Sequence, residues 1–192
     1  MSGLRSCLEE LSGEELALAS DEDLADGLRE IERASGALEA ERARRVAEIA
    51  RRRRYAEQGY LSATAYLRDL LGVSAPRAAR YLRWARALSR MPLAAAALGR
   101  GEVSAQAVEV LMRAAEAHPE PFARAEELLV RIAAELPVGD LVRAVAHFSA
   151  LADAQAPERE DERRLAARRL HVSPTLDGMV RIDGALDTET GQ

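Results

Sequence analysis

The stretch from Leu61 to Met91, LSATAYLRDLLGVSAPRAARYLRWARALSRM, constrains this chain most, because it spells a helix, a tight turn and a second helix studded with arginine. Ser62 is placed to cap a first helix whose apolar residues Ala65, Tyr66, Leu67, Leu70 and Leu71 recur at helical spacing. Gly72 supplies the left-handed stop that helix ends favour. Ser74 restarts the chain with a hydroxyl available to the first free amides. Pro76 falls in the first turn, where a missing N–H costs nothing, and no breaker follows until Pro92.

On a helical wheel this second helix is expected to pack through Ala78, Tyr81, Leu82, Trp84, Ala85 and Leu88, with Arg77, Arg80, Arg83, Arg86 and Arg90 on an opposite, cationic arc. A helix-turn-helix-like corner over residues 62–90 lays such a helix in the major groove, held by phosphate contacts and reading base edges with a few long donors. Arginine suits both jobs. The competing reading is a solvated face: all 27 basic residues are arginine and the chain has no lysine or asparagine, so any exposed helix here would carry arginines. Arg68 also stands four residues before the turn glycine, where sequence-specific readers carry a small residue.

A chain of 192 residues is long enough for one domain with a substantial core. Alanine, leucine, glutamate and arginine dominate and aromatics make up only 4%, which argues against a large sheet. The single Cys7 excludes an intramolecular disulfide and any cysteine-pair zinc site. The first twenty residues lack the basic and apolar segments of a secretory signal and no 18-residue apolar run follows, so a cytoplasmic location with no membrane partner is expected. The net charge of −5 hides a segregated distribution: −9 over residues 1–41, +10 over 42–113 and −6 over 114–192. A local basic patch, rather than the acidic total, decides whether phosphate binds. The two opposed blocks could equally neutralise one another, within a chain or between chains.

Residues 1–20 read as a loose leader with a short helical tendency around Leu8, Leu11 and Leu16. Ser20 followed by Asp21, Glu22 and Asp23 is a strong helix start. The helix is expected to run from about 21 to 57, with Leu24, Leu28, Ile31, Leu38, Val46 and Ile49 as a broken apolar stripe and Gly59 ending it. So long a helix cannot hide within a small domain, so one end is expected to pack while the other projects or pairs. Arg51, Arg52, Arg53 and Arg54 wrap all round its basic end. They form a second candidate phosphate patch, or simply complement the negative end of the helix with Glu48 and Glu57 within ion-pair reach.

A short helix ending at Gly99 and Gly101 should follow Pro92, and Ser104 should cap another with Val108, Leu111 and Met112 inward. Pro119 and Pro121 are expected to break the chain before a helix over 122–135, and Pro137 before one over about 138–155. Near the end, Leu170, Val172, Met179, Val180 and Ile182 alternate with polar residues about a turn at 173–178, the pattern of a β-hairpin, and residues 185–188 open like another helix. The expected fold is mainly α: an orthogonal helical bundle over 21–167 with a long N-terminal helix, the helix-turn-helix-like corner and a C-terminal hairpin segment over 168–192.

Three stretches in this order, AYLRDLLGVSAPRAARYLRWARAL, MPLAAAALGRGEVSAQAVEVL and ARRLHVSPTLDGMVRIDGALDTETG, resemble domain of unknown function 222, the 13E12 repeat family of high-GC bacteria. The resemblance covers roughly residues 30–191. It implies a domain that usually precedes an HNH endonuclease module in the same polypeptide, hence an association with DNA. An HNH site needs a histidine base, metal ligands and an orienting asparagine. This chain has no asparagine, and His118, His147 and His171 are scattered, so no catalytic or metal-binding residue is expected and the chain reads as a stand-alone or truncated copy of the N-terminal domain.

No phosphate-binding loop or dinucleotide fingerprint occurs, and no cofactor is implied. The acidic cluster Glu158, Glu160, Asp161 and Glu162 alternates with arginines just after Pro157, where a helix start attracts acids. The leading expectation is a non-catalytic DNA-associating module. The alternatives are a protein-interaction module dimerising through the long charged helix, and a fragment of an intact HNH nuclease.

Overall fold

A computed structural model describes residues 2–154, 169–174 and 180–185 of the chain. The protein is mainly helical. It divides into two compact units, residues 1–142 and 143–192.

The first unit opens with α1 (Ser2–Ser12) and a single 3-10 turn at Leu16–Leu18, followed by α2 (Asp21–Arg52). Ser20 starts α2 with a reciprocal capping box: its Oγ accepts from the Asp23 amide at 3.1 Å and its own amide donates to the Asp23 carboxylate at 3.3 Å. The helix ends several residues before Gly59, contrary to the expected boundary. Arg53 takes the left-handed conformation (φ 54°) while its amide still donates to Ile49 O, and Gly59 (φ 84°) closes the next turn instead. A left-handed side chain costs energy that glycine avoids. Arg53→Gly is therefore expected to stabilise the fold by about 0.5–1 kcal/mol, a rise of roughly 1–4 °C in Tm measurable by thermal unfolding.

The corner forms as its residues dictate. α3 (Ala63–Leu71) is capped by Ser62, whose Oγ accepts from Ala65 N at 3.1 Å, and Gly72 ends it at φ 62°. α4 (Ala75–Leu88) follows after three residues with Pro76 in its first turn, but the Ser74 hydroxyl makes no capping bond, so the start is set by backbone geometry and the proline alone. Tyr66 stacks on Tyr55 and meets Tyr60 edge-on, and the Tyr60 hydroxyl donates to Asp69, which ties the segment after α2 to α3 and raises the Tyr60 pKa. Leu67 is buried, whereas Leu70 and Leu71 are exposed. Tyr81, Leu82 and Ala85 of α4 close a core with Val46 of α2 and Leu67 of α3.

α5 (Pro92–Gly99), α6 (Ala105–Ala117), α7 (Pro119–Glu135) and α8 (Val138–Ala154) complete the helices. Ser104 caps α6 through Ala107 N at 3.1 Å, and Val108, Leu111 and Met112 are all buried. Pro119 and Pro121 do not delay α7 to residue 122. They lie in its first turn, where their missing donors cost nothing.

The start of α5 has no local cap. Met91 offers no side-chain acceptor and Pro92 has no N–H, so Leu93 and Ala94 carry the donors that need partners. Glu126 of α7, 5% exposed, supplies both: its Oε1 accepts from Leu93 N at 2.9 Å and from Ala94 N at 3.0 Å. Ala95 N then donates to Met91 O, the first bond of the helix. Gly36 of α2 meets α5 closely enough that an added Cβ would lie 3.1 Å from Leu98 Cδ1.

In the second unit, β1 (Arg169–Pro174) and β2 (Val180–Ala185) pair antiparallel, with Val172 opposite Ile182. The expected turn at 173–178 lies partly outside the described residues. The acidic cluster at 158–162 lies wholly outside them, and of the helix start expected at 185–188 only Ala185 is described, as the last residue of β2.

Candidate nucleic-acid interface

Of the residues expected to pack in α4, Ala78, Tyr81, Leu82, Trp84, Ala85 and Leu88 are all buried. The arginines do not form one arc. At 100° per residue Arg77 falls between Tyr81 and Trp84, on the packing side, and its Nε donates to the Tyr81 hydroxyl at 2.8 Å. Tyr81 also receives the Arg42 guanidinium, 5.0 Å from the ring centroid, and Arg77 lies 5.9 Å from the same ring. Two cations from α2 and α4 therefore clasp one buried phenol. Arg80 bridges to Glu109 of α6 at 2.7 Å and lies over the Trp84 ring at 5.5 Å.

Arg83, Arg86 and Arg90 stand apart from these. They fall within about 60° of one another on the exposed face, and none has an ion-pair partner among the described residues. Together they line a groove of about 230 Å³ whose other walls include Ala87, Glu116, Pro119 and Phe122. Arg113 of α6, exposed and without an ion pair among the described residues, shares a helical stripe with Glu109, which bridges to Arg80, and Glu116, which lines the groove, but does not line the groove itself. Sequence analysis did not single out Arg113. Its spacing from Glu109 was visible, but nothing local says that this stripe of α6 faces α4.

The second candidate patch is largely neutralised. Glu48 holds Arg51 and Arg52, each at 2.6 Å, and Arg54 lies 4.0 Å from Glu57, which leaves Arg53 as the member without an ion pair. Two turns earlier Glu41 holds Arg44 and Arg45, each at 2.7 Å. These forks pull the Glu41 and Glu48 carboxyls down to about 2 through hydrogen bonds from their arginines. A depressed folded-state pKa stabilises fully above the unfolded value, here 4.5, and the contribution disappears as pH falls from there through 2. Helicity followed by circular dichroism should decline on acidification within that window, and Glu48→Gln should make the decline shallower.

Among the described residues no group of three or more histidine, cysteine or acidic side chains could hold a metal, and no helix is long and apolar enough to cross a membrane. A second groove, about 680 Å³, runs between α2, α4 and α5 over Ala40, Ala43, Ala47, Leu88 and Ala96, with the already paired Glu41, Arg44, Glu48 and Arg51 at its edge. Its floor is mostly alanine, and the charged groups at its edge are spent on one another. Among the described residues, the arginines that line a groove without forming an ion pair are thus Arg83, Arg86 and Arg90, on the C-terminal half of α4 and just beyond it.

No curated protein and no solved structure matches the chain. A sequence model of a family described as a domain of unknown function (DUF222) matches residues 25–192.

Proposed function

The chain belongs to the DUF222 family, and from that premise and the free arginine face of α4 we propose that it is a non-catalytic module that docks on duplex DNA. The observation that carries this reading is the contrast between arginines. Those on α2 spend their charge on carboxylates three or four residues away, while Arg83, Arg86 and Arg90 are exposed together and form no ion pair among the described residues, three cations against the single acid, Glu116, in their groove. An uncompensated row of guanidinium groups on an exposed helix face attracts phosphate and gains by releasing condensed counterions.

The corner formed by α3, Gly72 and α4, within a bundle of the orthogonal type, offers the helix as helix-turn-helix proteins do. Arg68, exposed on α3, adds charge where a base-reading corner would be tightly packed, so backbone contacts rather than base recognition should dominate. Such binding has a Kd on the order of 10⁻⁴–10⁻⁶ M at physiological salt. A module of this kind suits the task of holding DNA for an HNH nuclease, the partner implied by the family resemblance.

The test is fluorescence anisotropy with a mixed-sequence duplex at low and moderate salt, comparing the native chain with an Arg83→Gln, Arg86→Gln, Arg90→Gln triple variant. Binding that weakens with salt and is lost in the variant is the expected result. Equal binding by both proteins, or none at low salt, would make this face a solvated surface.

A further inference from the structure

The first five turns of α2 carry an apolar stripe that stays largely exposed among the described residues. Leu24, Leu28 and Ile31 are 37%, 68% and 49% exposed, Leu38 is 40% exposed, and Gly36 is the first buried residue of the helix. With Ser35 they follow the alternating four- and three-residue spacing of a coiled-coil seam. α1 presents a matching stripe: Leu4, Leu8 and Leu11 are 46%, 53% and 44% exposed, and Cys7 lies on the same arc.

The two stripes are complementary in register. In an antiparallel hairpin Leu11 falls opposite Leu24, Leu8 opposite Leu28 and Leu4 opposite Ile31, with each pair of residue numbers summing to the same value within one. The connection of residues 13–20 is of the length that joins antiparallel neighbours. Within one copy α1 is exposed along its length, so the leucines of both stripes face solvent. These side chains expose on the order of 600 Å² of aliphatic surface, the upper end of what monomers leave open. With the polar atoms that flank such a patch, this matches the about 800 Å² that each partner gives to a stable pair.

We infer that the occupant is a second copy of this chain: the α1 and α2 leucine stripes of two copies close into a four-helix bundle. The acidic blocks, −9 over residues 1–41 of each copy, then lie on the outside of the bundle and repel. The association is apolar in origin and opposed by charge, so added salt tightens it. This is the opposite of the salt response of DNA docking by α4, and the two can fail separately. Pairing that sets the acidic end of α2 against the basic end of another copy is less suited to the structure, because Arg44, Arg45, Arg51 and Arg52 already hold Glu41 and Glu48.

Sedimentation equilibrium of the full chain, from low micromolar to a few hundred micromolar, tests this at low salt and at about 0.5 M NaCl. The expected result is a monomer–dimer equilibrium that tightens with salt. Leu28→Glu and, separately, Leu8→Glu should each weaken it by about tenfold or more while leaving circular dichroism unchanged at low concentration, where the native chain is monomeric, since both side chains are exposed within one copy. Leu128→Glu, at an exposed leucine on α7, should leave it intact. A native chain that stays monomeric at both salts overturns the inference, as does a dimer that survives Leu28→Glu and Leu8→Glu or is equally broken by Leu128→Glu.

Discussion

Glu126→Ala is expected to lower stability by about 2–3 kcal/mol, because Glu126 is the one charged side chain buried among the described residues. The carboxylate stands in for the missing cap of α5, and both of its bonds go to one oxygen, Oε1. Truncation leaves the Leu93 and Ala94 amides without an acceptor at a helix start that cannot cap itself, with Ala94 fully buried. It also opens a void beneath α5. In a chain of this size the loss corresponds to a fall of about 5–10 °C in Tm. Glu126→Gln separates the two contributions. Its amide oxygen can occupy the Oε1 position and keep both bonds, so it should lose only the charge–dipole part, about 0.3–1 kcal/mol. If alanine and glutamine variants melt together with the native chain, Glu126 does not hold α5. If glutamine costs as much as alanine, charge rather than the two bonds carries the stability.

Glu126 also marks where sequence reasoning stops. Ser20, Ser62, Gly72 and Ser104 announce helix ends because each acts on amides or carbonyls within four residues of itself, and the structure places all four at those ends. The cap of α5 comes from a residue 32 positions from the amide it serves, so only the packing of α7 on α5 reveals it. Arginine pairing divides in the same way. Glu48 with Arg51 and Arg52 is readable from i, i+3 and i, i+4 spacing, and so, in principle, was Arg77 with Tyr81. Arg80 with Glu109 spans 29 residues and was not. The end of α2 escaped notice because Arg53 accepts a left-handed conformation that the sequence assigns to Gly59. The hydrophobic pattern showed that Leu24, Leu28 and Ile31 share a face with Val46 and Ile49, but not that the core ends before it reaches them.

For DNA binding, the three-arginine variant and an Arg77→Gln, Arg80→Gln variant should part company in their salt dependence. Each phosphate neutralised contributes about −0.9 to the slope of log affinity against log salt, so a face built on Arg83, Arg86 and Arg90 gives a slope near −3 and a loss of about 40-fold between 50 and 200 mM salt. Removing these three should take most of that slope with it. Arg77 and Arg80 are already engaged, one by the Tyr81 hydroxyl and the other by Glu109, so binding a phosphate would first require breaking those contacts. Changing them to glutamine should alter the slope by less than about 1 and register instead as a lower Tm, because the Tyr81 clasp and the α4–α6 bridge are lost. Equal slopes for the two variants would mean that the whole arginine row acts as one surface and that pairing within the fold does not decide which guanidinium groups reach phosphate.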